Sequence, residues 1–110
     1  MSQIEVQYDE FVSTIAQTLS NVDVNLLMKI MYLERKLTDV APRVELHMEY
    51  KSNVDPMRKQ EEMRAKYGFP TQTSAHGLTA VGQMTVDTIE DISKDPEVSH
   101  ISGTATPASY

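Results

Sequence analysis

The residues able to act as acids, bases, nucleophiles or metal ligands are spread along the chain without a shared spacing. The three histidines, His47, His76 and His100, fall on different predicted elements and lack the spacing of zinc ligands. The acidic pairs at 61–62 and 90–91 are typical of solvated helix faces, because no neighbouring group is placed to poise one carboxylate against the other. The sequence has no cysteine, so it offers neither a thiol nucleophile nor a disulfide. We therefore predict a protein that is not an enzyme and that uses no cofactor or metal.

The net charge and the distribution of apolar residues disfavour some classes of binding partner. The chain has 110 residues, enough for one hydrophobic core, and a formal net charge of -6. This charge disfavours binding to nucleic acid, whose affinity depends on clustered lysine and arginine. No apolar run approaches the roughly 20 residues of a membrane-spanning helix. We expect a protein partner rather than a nucleic acid or a membrane.

The first third of the chain has the pattern of helices. Apolar residues recur every three or four positions through 8–38, which predicts helical structure. Ser20, Asn21 and Asp23 are residues that often cap a helix, so a break is expected at 20–23. The prediction is a helical hairpin or a bent helix that ends near Asp39.

The pattern changes to a strand and a short helix after residue 42. Polar and apolar side chains alternate without interruption over 43–50, which predicts a half-buried strand. Asp55 followed by Pro56 predicts the start of a helix, and Gly68 its end.

A hairpin, a helix and a final strand complete the predicted order. Extended segments at 69–74 and 78–84 flank Ala75-His76-Gly77, whose glycine can take the positive φ of a tight hairpin. A helix capped by Thr85 follows, and then a strand at 98–102. The order from residue 43 is that of a split βαβ, or ferredoxin-like, fold. We predict an α+β protein with a ferredoxin-like βαββαβ antiparallel sheet: an N-terminal helical extension at 1–42, the ferredoxin-like domain at 43–102 and an extended C-terminal tail at 103–110.

The last third of the chain carries a more specific signature. It contains the hairpin sequence Ala75-His76-Gly77-Leu78 and, after a short helix, the turn Lys94-Asp95-Pro96-Glu97-Val98. A last strand and a tail of mostly small residues follow. Residues 75–110 thereby resemble the inhibitor and propeptide family of subtilisin-like serine proteases, and the resemblance extends more loosely back to residue 43.

The resemblance implies binding to a subtilisin-like serine protease. In that family a face of the sheet packs on two surface helices of the protease, and the tail lies in the active-site cleft like a cleaved product. Strand addition of this kind takes its affinity from main-chain hydrogen bonds and its specificity from side-chain pockets. Carried over to this chain, Tyr110 fills the first pocket. The tail residues that the resemblance assigns to protease binding are Thr106, Pro107, Ala108, Ser109 and Tyr110.

Acidic contacts are a further expectation. Family members place acids after the last strand, where they meet the amino ends of the protease helices, which carry partial positive charge. This chain has Ser102-Gly103-Thr104 at that point. Glu90, Asp91 and Glu97 are therefore the candidates for contacts with the protease helices.

Three functional alternatives follow. The chain is expected to be a free-standing inhibitor, and as in related propeptides it could also assist folding of the protease as an intramolecular chaperone. One alternative is a propeptide processed from a protease precursor, and another is a non-inhibitory ferredoxin-like adaptor with an inert tail. Residues 1–5 lack the character of a signal peptide, which predicts a cytoplasmic protein, or a secreted one if it belongs to a longer protease precursor.

Overall fold

The computed structural model describes residues 19–37 and 39–108 as a mixed α+β protein. The helix predicted over 8–19 lies, apart from Leu19, outside the described residues. Three helices and four strands make up the described part: α1 (Val24–Lys36), β1 (Arg43–Tyr50), α2 (Pro56–Tyr67), β2 (Thr71–Thr73), β3 (Gly77–Gln83), α3 (Val86–Ser93) and β4 (Val98–Thr106).

The four strands form one antiparallel sheet in the order β2-β3-β1-β4. β1 is central and pairs with β3 on one side and β4 on the other. Its residues alternate between exposed and buried along the whole strand, as the sequence predicts. A strand with one buried face needs this two-residue period, because successive side chains point to opposite sides of the sheet.

Each helix begins where a capping side chain is available. Asp23 and Asp55 accept hydrogen bonds, each 3.0 Å long, from the backbone N–H groups of Asn25 and Met57. Thr85 caps α3 in a reciprocal arrangement with Thr88. The predicted starts at Asp55 and Thr85 are confirmed, and of the three candidate caps at 20–23 it is Asp23 that begins α1. These side-chain oxygens satisfy N–H groups that the first turn leaves without partners.

The helices cover one face of the sheet and enclose a single apolar core. α1 contributes four buried residues, Leu26, Leu27, Ile30 and Leu33, so it shares this core with the strands. Burying such side chains supplies the main favourable free energy of folding. The remaining buried apolar side chains are Leu19, Val22, Val44, Leu46, Met48, Tyr50, Met63, Leu78, Ala80, Met84, Ile89, Ile92, Val98, Ile101 and Ala105.

The segment before α1 attaches to the edge of β4. Asp23 N–H donates to the carbonyl of Ile101 (2.8 Å), and Ile101 N–H donates to the carbonyl of Asn21 (2.7 Å). Val22 thereby forms a parallel bridge with Ile101. This bridge protects part of an edge strand that would otherwise expose its main chain.

Two local predictions were wrong. Gly77 does not adopt a positive φ; it is required because a side chain there would collide with the carbonyl oxygen of Met48 on β1. β4 does not end at Ser102 but continues to Thr106, paired with β1. The first four residues of the predicted tail are therefore part of the sheet.

No helix among the described residues combines the length and the apolar character that a membrane crossing requires.

Candidate functional site

The sheet has a second face, which no described helix covers and which we call the open face. Its side chains are the exposed residues of β1 together with those that the strand register places beside them. Nearly all are polar, so the face is suited to hydrogen bonding rather than to burial in a core. The open face consists of Arg43, Glu45, His47 and Glu49 of β1, Gln72 of β2, Thr79, Val81 and Gln83 of β3, and His100, Ser102, Thr104 and Thr106 of β4.

Hydrogen bonds order the middle of the open face. His47 Nδ1 lies 2.9 Å from Thr79 Oγ1 on β3, and its Nε2 lies 3.7 Å from Glu45 Oε1. A shallow groove of about 730 Å³ runs beside this imidazole, between β1 and the turn that contains His76. Within residues 19–37 and 39–108 no three metal-ligating side chains come together.

The tail begins at a corner of the open face. Thr106, one of the tail residues that the resemblance led us to expect at a protease, pairs with Arg43 as the last residue of β4. Pro107 and Ala108 follow outside the sheet, and Ala108 is partly buried and lines a recess together with residues at the end of β3. Ser109 and Tyr110 lie outside the described residues. The chain therefore leaves the sheet beside the face that the helices do not cover.

The three predicted acidic contacts lie elsewhere, on the helical side of the molecule. Glu97 binds Arg58 (2.5 Å) and Lys59 (2.7 Å) of α2. Asp91 binds Lys66 (2.8 Å) and accepts a hydrogen bond from the Tyr67 hydroxyl. These carboxylates connect α3 and the turn before β4 to α2.

Glu90 also lies on α3, within 3.7 Å of Lys94. None of Glu90, Asp91 and Glu97 belongs to the open face. The acids that do are Glu45 and Glu49, which were not among the predicted contact residues. Their alternation with apolar residues along β1 already indicates that both side chains are exposed on this face.

A buried lysine, Lys59, forms ion pairs with two acidic residues of the turn at 94–98. Lys59 is only 5% exposed, and its Nζ lies 2.5 Å from Asp95, 2.7 Å from Glu97 and 3.1 Å from Glu62. Its ammonium also lies 5.8 Å from the centre of the Tyr50 ring. Asp95 in turn accepts a hydrogen bond from the backbone N–H of Glu97 (3.0 Å). The Lys-Asp-Pro-x-Val turn thus holds α2 to the start of β4.

Protonation equilibria in this cluster follow from burial and pairing. Burial alone would raise the pKa of Asp95, but the hydrogen bonds from Lys59 and the Glu97 N–H outweigh it, and the pKa is lowered. Burial alone would lower the pKa of Lys59, yet its carboxylate partners raise it. Burial raises the pKa of Tyr50 to about 12. The cluster therefore favours a charged lysine, charged carboxylates and a neutral tyrosine.

Comparison of the chain with models of protein families, with curated proteins and with solved structures returned no match.

Proposed function

We propose that this protein binds and inhibits a subtilisin-like serine protease, with its open face on the protease surface and its C-terminal tail in the active-site cleft. We also propose that the fold is ferredoxin-like. The element order from β1 to β4 supports the fold proposal, as does the antiparallel strand order β2-β3-β1-β4.

The observation that carries the functional proposal is the junction of the open face and the tail. The chain leaves β4 after Thr106, which is itself a residue of the open face. Residues 107–110 can extend at most about 14 Å beyond it. A protein that packs on the open face is therefore within reach of the tail, and one partner can contact both.

The residues of the tail suit strand addition in a narrow cleft. Ala108 and Ser109 are small, and Pro107 restricts the main chain and so reduces the entropy lost on binding. Tyr110 supplies an aromatic anchor of the kind that dominates binding energy. In the product-like pose the carbonyl carbon of Tyr110 lies near the catalytic serine and its oxyanion donors.

The open face supplies the second part of the interface. Glu45 and Glu49 are exposed there, and a carboxylate is stabilised near the amino end of a helix by about 0.3–1 kcal/mol. They take the role that Glu90, Asp91 and Glu97 were expected to have. In this proposal the ion pairs of Asp91 and Glu97 hold the inhibitor together rather than contact the protease.

A titration with three variants tests both parts. A subtilisin-family protease is assayed with a chromogenic peptide in the presence of the full chain, of a chain lacking 108–110, and of Thr104→Arg, which places a bulky cation on the open face. Glu61→Arg is the matched control, because Glu61 is exposed on α2, on the helical side.

The truncation and Thr104→Arg should each weaken inhibition by at least about 30-fold, the loss expected when a hot spot or its surroundings are disrupted. Glu61→Arg should inhibit like the unmodified chain. Equal inhibition by the truncated and full chains would rule out the tail mechanism. Unchanged protease binding after both changes would favour an adaptor that uses another surface.

A further inference from the structure

The outer side of α1 carries a row of exposed residues, which we call the α1 row. Its members are Asn25, Lys29, Tyr32 and Lys36. They are spaced four, three and four positions apart, so they lie along one side of the helix over a length of about 16 Å. The buried residues of α1 lie on the opposite side of the helix and face the core. The α1 row is therefore remote from the open face of the sheet.

The charges of the α1 row are positive. Lys29 and Lys36 belong to the row, and Arg35 is exposed beside it. The helix has one acidic residue, Glu34, whose carboxylate accepts the backbone N–H of Val86 (3.0 Å). Within the part of the chain that the structure describes, none of the three cations lies within ion-pair distance of a carboxylate. This side of α1 is thus locally positive in a protein whose formal net charge is -6.

Other cations on the helical side hold the fold together. Those that form ion pairs with carboxylates there are Arg58, Lys59, Lys66 and Lys94. The last turn of α1 gives Arg35 and Lys36 a structural role, because cations are stabilised at the carboxyl end of a helix. Lys29 lies near the middle of the helix, where that effect has faded. Its charge is available to a partner.

Apolar surface lies beside these cations. The Tyr32 ring is 52% exposed and lies between two lysines, with Lys29 Nζ 5.6 Å and Lys36 Nζ 5.7 Å from its centre. Met28 and Met31 are half-buried on the adjoining side of the helix. Methionine adapts its shape to different partners and is frequent on surfaces that bind helices. A ligand that matches this surface has carboxylates for the lysines and apolar side chains for the tyrosine and the methionines.

We infer that the α1 row is a docking site for an acidic amphipathic helix of a partner protein. Two helices pack side by side along residues that repeat every three or four positions, as those of the row do. Opposite charges on the two helices steer their association and fix its register. A nucleic acid or an anionic membrane matches the row less well, because three cations neutralise few phosphates and the net charge of -6 repels a large polyanion. The docking site is independent of the proposed protease inhibition, which uses the open face.

Fluorescence anisotropy of a labelled peptide, titrated with the full chain, tests this docking site. The probe is a designed helix of about three heptads with leucine at positions a and d, glutamate at e and g, and alanine elsewhere. A second probe has glutamine in place of each glutamate. The variants on the row are Lys29→Glu, the milder Lys29→Gln, and Tyr32→Ala. Arg64→Glu is the matched control, because Arg64 is an exposed cation on α2 and its reversal changes the net charge equally. Circular dichroism and urea unfolding establish that each variant is folded.

The acidic peptide should bind with a Kd below about 100 μM, and the glutamine peptide at least about tenfold more weakly. Lys29→Glu should weaken binding of the acidic peptide at least about tenfold, and Lys29→Gln and Tyr32→Ala about threefold each, whereas Arg64→Glu changes it less than about twofold. Failure of the acidic peptide to bind at about 100 μM, or equal losses in Lys29→Glu and Arg64→Glu, would overturn the assignment. Tighter binding of oligo(dT) or of phosphatidylserine vesicles than of the acidic peptide would assign the row to a nucleic acid or a membrane and would overturn it as well. No protease is present, so each of these results leaves the proposed inhibition to be judged separately.

Discussion

Replacing Lys59 by methionine removes the cation that holds α2 to the turn before β4. Methionine keeps most of the aliphatic length that packs beside Tyr50, so the change measures what the ammonium group alone contributes to stability. Nζ lies within 3.1 Å of three carboxylates, and the side chain is only 5% exposed. Without it, Asp95 and Glu97 remain close together with a single nearby arginine, Arg58.

The expected loss follows from how deeply each partner is buried. Removing one member of a fully buried ion pair costs about 3–5 kcal/mol. The side chains of Asp95 and Glu97 are 31% and 34% exposed, so water solvates part of the charge that Lys59 leaves behind. We expect Lys59→Met to lower the free energy of unfolding by about 2 kcal/mol, which for a domain of this size lowers Tm by roughly 10 °C.

Urea unfolding followed by circular dichroism measures this change at pH 7. The control is Lys66→Met on the same helix, whose ammonium binds Asp91 at 2.8 Å but is 64% exposed. Solvent weakens ion pairs of that kind, so the control should lose much less stability. Equal losses in the two variants, or a Lys59→Met protein as stable as the unmodified one, would refute the reasoning.

Three further predictions follow from particular contacts. Hydrogen bonds donated by Lys59 and Arg58 lower the pKa of Glu97, and the pKa of Asp95 is lowered as well. The two carboxylates therefore stabilise the fold above their ordinary pKa values of 4.5 and 3.8, and this stabilisation is lost as the pH falls below those values. Unfolding by acid should consequently depend less steeply on pH in Lys59→Met. Gly103→Ala should cost about 2 kcal/mol or more in urea unfolding, since φ is +154° and a Cβ would collide with the Glu45 carbonyl; native stability would contradict this. Glu34→Ala removes the acceptor of the Val86 N–H (3.0 Å) and should lower the free energy of unfolding by about 1 kcal/mol in the same assay. Unchanged stability would contradict a capping role for Glu34.

Much of the fold was predictable because its signals are local. The eight alternating residues of β1 predict a strand with one buried face, and the structure has it. Asp55 and Thr85 mark helix starts because each has a short oxygen-bearing side chain placed before a helical pattern, and the start of α1 was narrowed in the same way to Ser20, Asn21 or Asp23. Such side chains act on N–H groups two or three residues away, so the sequence alone reveals them.

The length of β4 was not predictable in the same way. Residues 102–106 are small, with Gly103 among them and three serine or threonine residues, a composition that gives only a weak strand signal. They extend the sheet because β1 offers partners as far as Arg43 and because Gly103 admits the close approach of Glu45. Pairing between distant segments, rather than local preference, determines the structure here.

The candidate site also has some features that follow from local sequence and others that depend on contacts between distant segments. That Glu45 and Glu49 are exposed follows from alternation along β1. The pairing of Glu97 with Arg58 joins residues 39 positions apart, and no local pattern indicates it. The resemblance directed attention to Glu90, Asp91 and Glu97. The pair of Glu90 with Lys94 is local, four residues apart, whereas the partners of Asp91 and Glu97 lie on α2 and are found only in the folded structure.

The central proposal is tested most directly by the inhibition constant of the full chain against a subtilisin-family protease. We predict competitive inhibition below about 10 μM, a concentration well above those typical of specific complexes. Tyr110→Ala should weaken it at least about 30-fold. Tyr32→Ala, which removes a 52% exposed tyrosine from α1, should not weaken it. Full protease activity at 10 μM of the unmodified protein, or equal inhibition by the two tyrosine variants, would contradict the proposal.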